Sequence, residues 1–437
     1  MTQDIIFSAL DGIDPEKFIV STYYIETEPA ADVLLIAKDI AVGQTTGTWV
    51  PVPEETDEIR ERHVGRVVGV YETPHYEREI PSDIKKRHFI LQIAIPSINL
   101  DPQLPMLLST IAGNDVTITY RIKLLDLRLP GSFVKAFGGP KFGIPGIRKI
   151  LNVTDRPLIV NMIKPCIGID PKVGAELFYR AAMGGVDVVK DDEVLGNTSY
   201  SSVIGRVKAF MEKERQAFEE TGEHTLYAVN ITDRVEKIRE HAHRVIEAGG
   251  NCLMLNFLPA GISALSMLAE EPSIELPILV HLDLSGAFFS ASNSGISAPL
   301  ILGKIPRLCG ADMVIYPSPY GKFLFLRESY LRVAHLLRTP FYDMKPIFPA
   351  PSGGVHAGNL SPLIRDLGVD CMVGVGGGIH GHRMGGTAGA KSVRQAIDAI
   401  LKNIPLEEAA KEHPELAAAL EDWGISQKIA WGMEHGA

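Results

Sequence analysis

The sequence is poor in cysteine, in excess positive charge and in long apolar runs. Its four cysteines, Cys166, Cys252, Cys309 and Cys371, form no CxxC pair in 437 residues. That argues against a disulfide framework or thiolate zinc site and predicts reduced thiols in the cytoplasm. No basic-then-apolar leader opens the chain, which points to the same cytoplasmic location. No apolar run approaches the ~18–20 residues of a membrane span, so no membrane partner is expected. Lys and Arg number 43 against 53 Asp and Glu, a net charge of −10. Binding to nucleic acid needs a basic face, so nucleic acid is not the expected partner. A small phosphorylated substrate needs only a local site and stays open. What is present, 46% hydrophobic and 22% charged residues, is the composition of a soluble globular protein. The length exceeds one ordinary core, so two domains are expected.

Residues 1–140 read as a mixed α+β domain. Phe18–Tyr24, Val64–Tyr71 and His88–Ile95 are strand candidates, and Ala30–Ala41 and Gln103–Ala112 are helix candidates. The mixture predicts a small sheet with helices on one face. The Gly- and Pro-dense stretch from Phe137 to Arg148 marks the boundary. In residues 141–437, short apolar strands then alternate with helical stretches. The strand candidates are Pro157–Lys164, Val186–Lys190, Leu226–Ile231, Cys252–Phe257, Pro277–His281, Met313–Tyr316, Ile347–Ala350 and Cys371–Val375. Helices are expected at Pro171–Met183, with Asp170 as cap and Pro171 in the first turn, at Ser201–Thr221, Arg234–Ala248 and Lys391–Lys402. Eight such units predict a (β/α)8 barrel rather than a doubly wound open sheet.

Polar residues collect at the C-terminal strand ends, where barrel chemistry resides. In order these ends carry Lys164; Lys190, Asp192 and Glu193; Asn230 and Asp233; and Asn256. The later ones carry His281 and Asp283; Ser318, Tyr320 and Lys322; Ser352-Gly353-Gly354; and Gly376-Gly377-Gly378. In an extended strand Lys190 and Asp192 share a face and Asp191 takes the other, while Glu193 can swing back from the loop. Asp192 and Glu193 are hard oxygen donors suited to Mg2+. Lys190 is either the ion-pair partner of Asp192 or, as a CO2-derived carbamate, a third oxygen donor. Glycine lets backbone amides approach an anion, so Ser352, Gly353, Gly354, Gly376 and Gly377 form a candidate phosphate site. Lys164 is a candidate base. Lys322 lies in a Pro-Ser-Pro-Tyr-Gly-Lys loop able to close over a substrate.

The runs VDVVKDDE, IKPCIG, APSGGVH and GVGGGIHGHRMGG, with TTGTW and FGGPKFGIPGIR, together resemble the large subunit of RuBisCO over most of the chain. The resemblance implies an N-terminal ferredoxin-like α+β domain before the barrel. It implies a carbamylated Lys190 that binds Mg2+ with Asp192 and Glu193, and Lys164 as the base acting next to a ketone. Thr48, Trp49 and Asn114 would reach into the neighbouring subunit's site, so a homodimer, or a larger assembly of dimers, would be the active unit. Ser352, Gly353, Gly376 and Gly377 would hold phosphate and substrate hydroxyls, and no small subunit is expected.

The departures matter as much. Where carboxylating members have a His-x-His-Arg motif, this chain reads His281-Leu282-Asp283-Leu284, and Ile315 and Gly43 replace a phosphate-contacting histidine and an acid. The pattern resembles the non-carboxylating, form IV RuBisCO-like proteins. The stretches LSGAF, GISAPLILGK and YPSPYG are similar to 2,3-diketo-5-methylthiopentyl-1-phosphate enolases. Those enolases carry a catalytic lysine where this chain has Asn114, and they lack the Lys164-Pro165 pair. The resemblance therefore implies a Mg2+-dependent enzyme that makes an enolate from a monophosphorylated, sugar-derived ketone, with Lys164 or Lys322 handling protons. The first expectation is decarboxylation or C–C cleavage of a 3-oxo acid phosphate such as 3-oxo-isoapionate 4-phosphate, a lyase reaction. Enolisation or isomerisation in methylthio-sugar salvage, including methylthioribulose-1-phosphate isomerase activity, is the alternative. A non-catalytic binding protein is a third reading, disfavoured by the retained Lys-x-Asp-Glu set.

Overall fold

The computed structural model describes residues 6–47 and 52–426. Its strands are β1 (Phe18–Thr27), β2 (Arg66–Glu72), β3 (Arg87–Pro96), β4 (Lys123–Arg128), β5 (Leu158–Met162), β6 (Val188–Lys190) and β7 (Leu226–Asn230). They continue as β8 (Cys252–Leu255), β9 (Ile278–Val280), β10 (Gly295–Ile296), β11 (Met313–Pro317), β12 (Phe348–Ser352) and β13 (Met372–Val375). Two compact units emerge, one of residues 1–137 and 284–301, the other of residues 138–283 and 302–437.

The first unit is a five-stranded sheet of order β10-β4-β1-β3-β2. β1 pairs antiparallel with β3 along its whole length, Phe18 opposite Pro96 and Thr27 opposite Arg87. Period-2 alternation buries Ile19, Tyr23 and Ile25. The helix Val33–Gly43 is capped by Asp32, which accepts from the Leu34 and Leu35 amides at 3.0 and 3.1 Å. Residues 284–301, placed with the barrel by sequence pattern, supply β10 instead. Gly295 and Ile296 pair in parallel with Lys123 and Leu124, and the Ser297 hydroxyl donates to the Leu125 carbonyl at 2.7 Å.

The second unit is a closed barrel of order β11-β12-β13-β5-β6-β7-β8-β9, the eight parallel strands read from the sequence. Every barrel strand is buried on both faces, apart from a partly exposed Met162 at the mouth. This explains their continuous apolar character, in contrast to the alternation in β1. Leu158, Val160, Val188, Leu226, Ala228, Met254, Leu279, Met313, Ile315, Phe348 and Met372 fill the interior. Each such burial contributes roughly 1.5–3 kcal/mol for the larger side chains. Ile315 is part of this core.

Helix Pro171–Ala182 starts as the sequence predicts, the Asp170 carboxylate accepting from the Lys172 and Val173 amides at 2.8 and 3.0 Å. The Gly- and Pro-dense boundary contains a helix, Gly143–Leu151. Its start is anchored by Asp312, whose Oδ1 accepts from the Phe142 and Gly143 amides at 2.8 and 2.7 Å. Asp312 Oδ2 accepts from the Ile278 amide at 3.0 Å. Among the described residues no helix is long and apolar enough to cross a membrane.

Candidate active site

The run from Val186 to Glu193 has the alternation its sequence predicts. Val188 faces the barrel interior, so Lys190 and Asp192 emerge at the mouth on the same side. Asp187 and Asp191 take the outer face, and both are structural. Asp187 is held by the Arg156 guanidinium through two hydrogen bonds of 2.7 and 2.8 Å. Asp191 accepts from Arg206 Nε at 3.0 Å, the Tyr227 hydroxyl at 2.7 Å and the Asn230 amide at 2.9 Å. Arg206 belongs to the helix Val203–Thr221, which Ser202 caps through the Gly205 amide at 3.1 Å. These outer-face contacts fix the backbone from which the functional side chains project.

At the mouth the pairing differs from the simplest expectation. Lys190, fully buried, pairs with Glu193 rather than Asp192, its Nζ lying 3.1 Å from Glu193 Oε2 and 2.8 Å from the Asp191 carbonyl. Asp192 instead accepts from Lys164 Nζ at 2.6 Å, and Lys164 also contacts Cys166 Sγ at 2.9 Å. Burial alone would raise the Asp192 carboxyl, but the Lys164 hydrogen bond, Cys166 and the Lys190 charge outweigh it and hold it below the ordinary range. Burial pulls Lys164 down, yet its hydrogen bonds to Asp192 and Cys166 hold the ammonium above the usual lysine value. Glu193 is likewise raised by burial and lowered further by the Lys190 and His281 charges, the net shift being downward.

His281 follows β9 and is 6% exposed. Its Nδ1 lies 2.9 Å from Asp283 Oδ2 and its Nε2 lies 3.3 Å from Glu193 Oε2. Burial and the nearby Lys190 charge lower its pKa, against the opposing pull of Asp283 and Glu193. Asn230 Nδ2 donates to the Glu193 carbonyl at 3.2 Å, and Asn256 Nδ2 donates to the same carbonyl at 2.8 Å. Asn256 Oδ1 is buried with no hydrogen-bond partner among the described residues.

This donor set fits a divalent cation. Glu193, His281 and Asp283 present ligand atoms that all lie within 4.8 Å of one another, and Asp192 adds a carboxylate held in its charged form. Lys190 is the cation now balancing Glu193. As a carbamate it would offer an anionic oxygen in place of a positive charge.

Two residues that the sequence reading did not single out complete the cluster. His380 Nε2 sits 2.9 Å from Asn161 Oδ1, and Asn161 Nδ2 donates to the Val375 carbonyl at 2.8 Å. Burial, reinforced by the Lys164 charge, pushes the His380 pKa down to about 4. His380 lies inside the glycine-rich GGGIHGH run, and the polar Asn161 within an otherwise apolar β5 was the available signal.

The two glycine-rich strand ends differ in how closely they are covered: the 321–323 loop lies over Gly353 and Gly354, and Gly377 faces open space. Gly353 and Gly354 have φ of +93° and +81°, conformations that favour glycine. Their amides make no hydrogen bond among the described residues. A Cβ on Gly377 would meet nothing within 4 Å, and one on Gly376 would meet Lys164 Cε at 3.4 Å. Ser352 is buried at the end of β12 and its carbonyl accepts from the Ser318 amide at 2.9 Å.

Lys322 is not in the Lys164–Asp192 cluster. Its Nζ lies 5.1 Å from the Phe323 ring centroid, and its amide donates to the Gly353 carbonyl at 2.8 Å. The loop thus rests on the Gly353-Gly354 turn. Asn114 lies in the first unit, exposed, beside a cavity of about 530 Å3 lined also by Gln44, Thr45 and Asp115. Thr48 and Trp49 lie outside the described residues.

The family model for the ribulose bisphosphate carboxylase large-chain N-terminal domain matches residues 10–133. The model for the catalytic domain of that chain matches residues 143–324 and 327–423. A ribulose bisphosphate carboxylase-like protein of Archaeoglobus fulgidus is 50% identical, the alignment covering 90% of each chain. A 2,3-diketo-5-methylthiopentyl-1-phosphate enolase of Bacillus licheniformis is 38% identical over 92% of this chain and 97% of its own. A rubisco-like protein of Alicyclobacillus acidocaldarius superposes with a TM-score of 0.86 at 37% identity, covering 94% of this chain and all of the other. Fold, strand-end chemistry and these matches agree, and the chain belongs to the ribulose bisphosphate carboxylase large-chain family as a RuBisCO-like protein.

Proposed function

We propose that the protein is a Mg2+-dependent enzyme that forms an enolate from a monophosphorylated, sugar-derived ketone. The observation that carries this reading is the 2.6 Å contact between Lys164 Nζ and Asp192 Oδ2. It sets a candidate base beside carboxylates able to hold a cation. Asp192, Glu193 and a carbamylated Lys190 would hold Mg2+, which supplies a Lewis acid to the substrate carbonyl and to the developing enolate oxygen.

The chain's own groups do the rest. Lys164 carries its proton while Asp192 is its partner. With Asp192 engaged by the cation, the burial that opposes the charge on Lys164 moves it toward a neutral amine that can abstract the α-proton. His380, neutral well above pH 4, faces the same region as a second proton acceptor. The free amides of Gly353 and Gly354, with Gly376 and Gly377, would bind one phosphate. Lys322 would approach the substrate when its loop adjusts, and Asn114, with Thr48 and Trp49, would complete the site of a partner subunit in a homodimer.

From the enolate two outcomes are open to the same residues. Decarboxylation or C–C cleavage of a 3-oxo acid phosphate, of the 3-oxo-isoapionate 4-phosphate type, suits a base on the first barrel strand. Enolisation of 2,3-diketo-5-methylthiopentyl 1-phosphate is favoured by the names of the 37–39% identical relatives. The deciding experiment incubates the Mg2+- and CO2-treated protein with a panel of phosphorylated ketones in D2O and follows α-proton exchange and product. Exchange with a monophosphate supports the reading, and its product separates the two outcomes. Absence of exchange and turnover across the panel sinks it.

A further inference from the structure

We propose that Lys164 and Cys166 form a modification site: a hydroperoxide joins them through one oxygen atom, and a thiol reductant releases them. That the link silences a base rests on the reading above, whereas its formation does not. Lys164 Nζ lies 2.9 Å from Cys166 Sγ. The amine is pinned there by its other hydrogen bond, 2.6 Å to Asp192 Oδ2. Asp192 is 2% exposed and also has Cys166 beside it. One buried carboxylate thus gathers the amine and the thiol.

Cys166 is the only one of the four cysteines that is not buried. Burial pushes the thiols of Cys309 and Cys371 up to about 12 and raises that of Cys252 well above its ordinary value. The thiolate is the reactive form, so those three resist oxidation. An oxidant reaches the pair from the mouth, where the Lys164 side chain is 37% exposed. Beside Cys166 there is also a cavity of about 10 Å3, lined by Asp192 and Arg206 among others. It has room for about one water-sized molecule. Arg206 is 1% exposed, and its Nη2 is buried without a hydrogen bond among the described residues, 3.0 Å from its ion-pair partner Asp191 Oδ2. A buried donor without a hydrogen bond is normally met by a small oxygen acceptor, which brings one next to the thiol.

The chemistry balances with two equivalents of hydrogen peroxide. The Cys166 sulfur attacks the first and breaks its O–O bond; S–H becomes S–OH, one water leaves, and sulfur has given up two electrons. The second equivalent oxidises the neutral Lys164 amine. One N–H bond and the O–H bond of the sulfenic acid break, an N–O bond forms to the sulfenic oxygen, and the second O–O bond breaks to release two waters. Nitrogen has then given up two electrons, and the product is Lys–NH–O–S–Cys. Two equivalents of a dithiol return the amine and the thiol and release one water. A bridging oxygen spans two atoms already in contact with less movement than a direct nitrogen–sulfur bond. A nitrogen bonded to oxygen is a weak base, and here it is also tethered away from any substrate.

The test exposes the full chain to hydrogen peroxide and reads its intact mass, which needs neither metal nor substrate. The expected result is a gain of about 14 Da, one oxygen in and two hydrogens out, located by fragmentation to residues 164–166 and removed by dithiothreitol. With a phosphorylated ketone that the protein exchanges, the fraction of α-proton exchange lost should match the fraction of protein carrying the shift, and should return with dithiothreitol. Lys164→Met should instead take up about 16 or about 32 Da on Cys166, and Cys166→Ser should gain nothing in that segment. In the wild type, a gain of only about 16 or about 32 Da there, a loss of about 2 Da from a direct sulfenamide, or no change overturns the link. So does a gain of about 14 Da in Lys164→Met. Exchange that persists in linked protein overturns its effect on the base. Formation of the link with no exchange on any ketone leaves the modification standing and removes the enolising reading.

Discussion

Lys164 and a bound cation compete for the same oxygen, and the variant Lys164→Met separates their contributions. In the structure Asp192 Oδ2 takes a 2.6 Å hydrogen bond from Lys164. The same carboxylate also has Cys166 beside it and a long contact, 3.4 Å, from the Val194 amide to Oδ1. A hydrogen bond between charged groups contributes about 1.5–3 kcal/mol. The Lys164 side chain is 37% exposed, so solvent screening reduces this to about 1 kcal/mol. Removing the ammonium should therefore tighten Mg2+ binding about fivefold, since 1.4 kcal/mol corresponds to tenfold. The same change removes the candidate base and should lower turnover about 10²–10⁴-fold. Isothermal titration of Mg2+, paired with α-proton exchange on whichever phosphorylated ketone is turned over, measures both. Opposite movements are the signature. Weaker Mg2+ binding together with wild-type exchange would refute the placement of Lys164 as base and of Asp192 as the contested ligand.

Two further outcomes follow from the same coordinates. Asp312, buried and ringed by backbone amides, has its pKa raised from 3.8 to about 6 by burial, which outweighs those amides and the Lys345 charge. The folded state thus holds that proton more tightly than the unfolded chain, so its contribution is complete below about pH 4 and is lost as pH rises through about 6. At 1.36 kcal/mol per pH unit the loss is about 3 kcal/mol. Denaturation of wild type and Asp312→Asn between pH 4 and 7 should show this slope in the difference between them, and parallel curves would remove Asp312 as its source. At Gly321, a Cβ would lie 1.8 Å from the Gly353 carbonyl oxygen. Gly321→Ala must therefore push the loop off the Gly353-Gly354 turn, at about 1–3 kcal/mol. A rise in KM for the monophosphate of about 5–100-fold with unchanged far-UV circular dichroism is expected, and an unchanged KM would show that this turn does not hold phosphate.

Much of this could be read from the chain because strand physics is local. Alternation along Val188-Val189-Lys190-Asp191-Asp192 determines which acids face the mouth, and the structure keeps that assignment. Partners across the mouth are another matter. Proximity in sequence pairs Lys190 with Asp192, whereas the donor that Asp192 accepts from is Lys164, 28 residues away on the preceding strand end. The His281–Glu193 contact joins neighbouring sequence clusters only through barrel closure. His380 meets Asn161 across 219 residues, a separation at which no sequence period carries information. Residues 284–301 read as barrel because they lie between two barrel strands, but the short β10 satisfies its backbone by pairing with β4.

The barrel closes where its last strand meets its first, with Met372 beside Leu158 and Val375 beside Asn161. Lys164, Asn161, Gly376 and His380 all sit on that seam. A chain emerging from the ribosome builds β5 long before β13 exists, and pairings over such distances form slowly. The candidate base is therefore seated only after the final βα unit docks. Nascent or C-terminally truncated chains would carry the acidic cluster of Asp192 and Glu193 without the wall behind Lys164. The seam ties the seat of Lys164 to the last barrel strand, so the wall behind that lysine exists only once the barrel has closed.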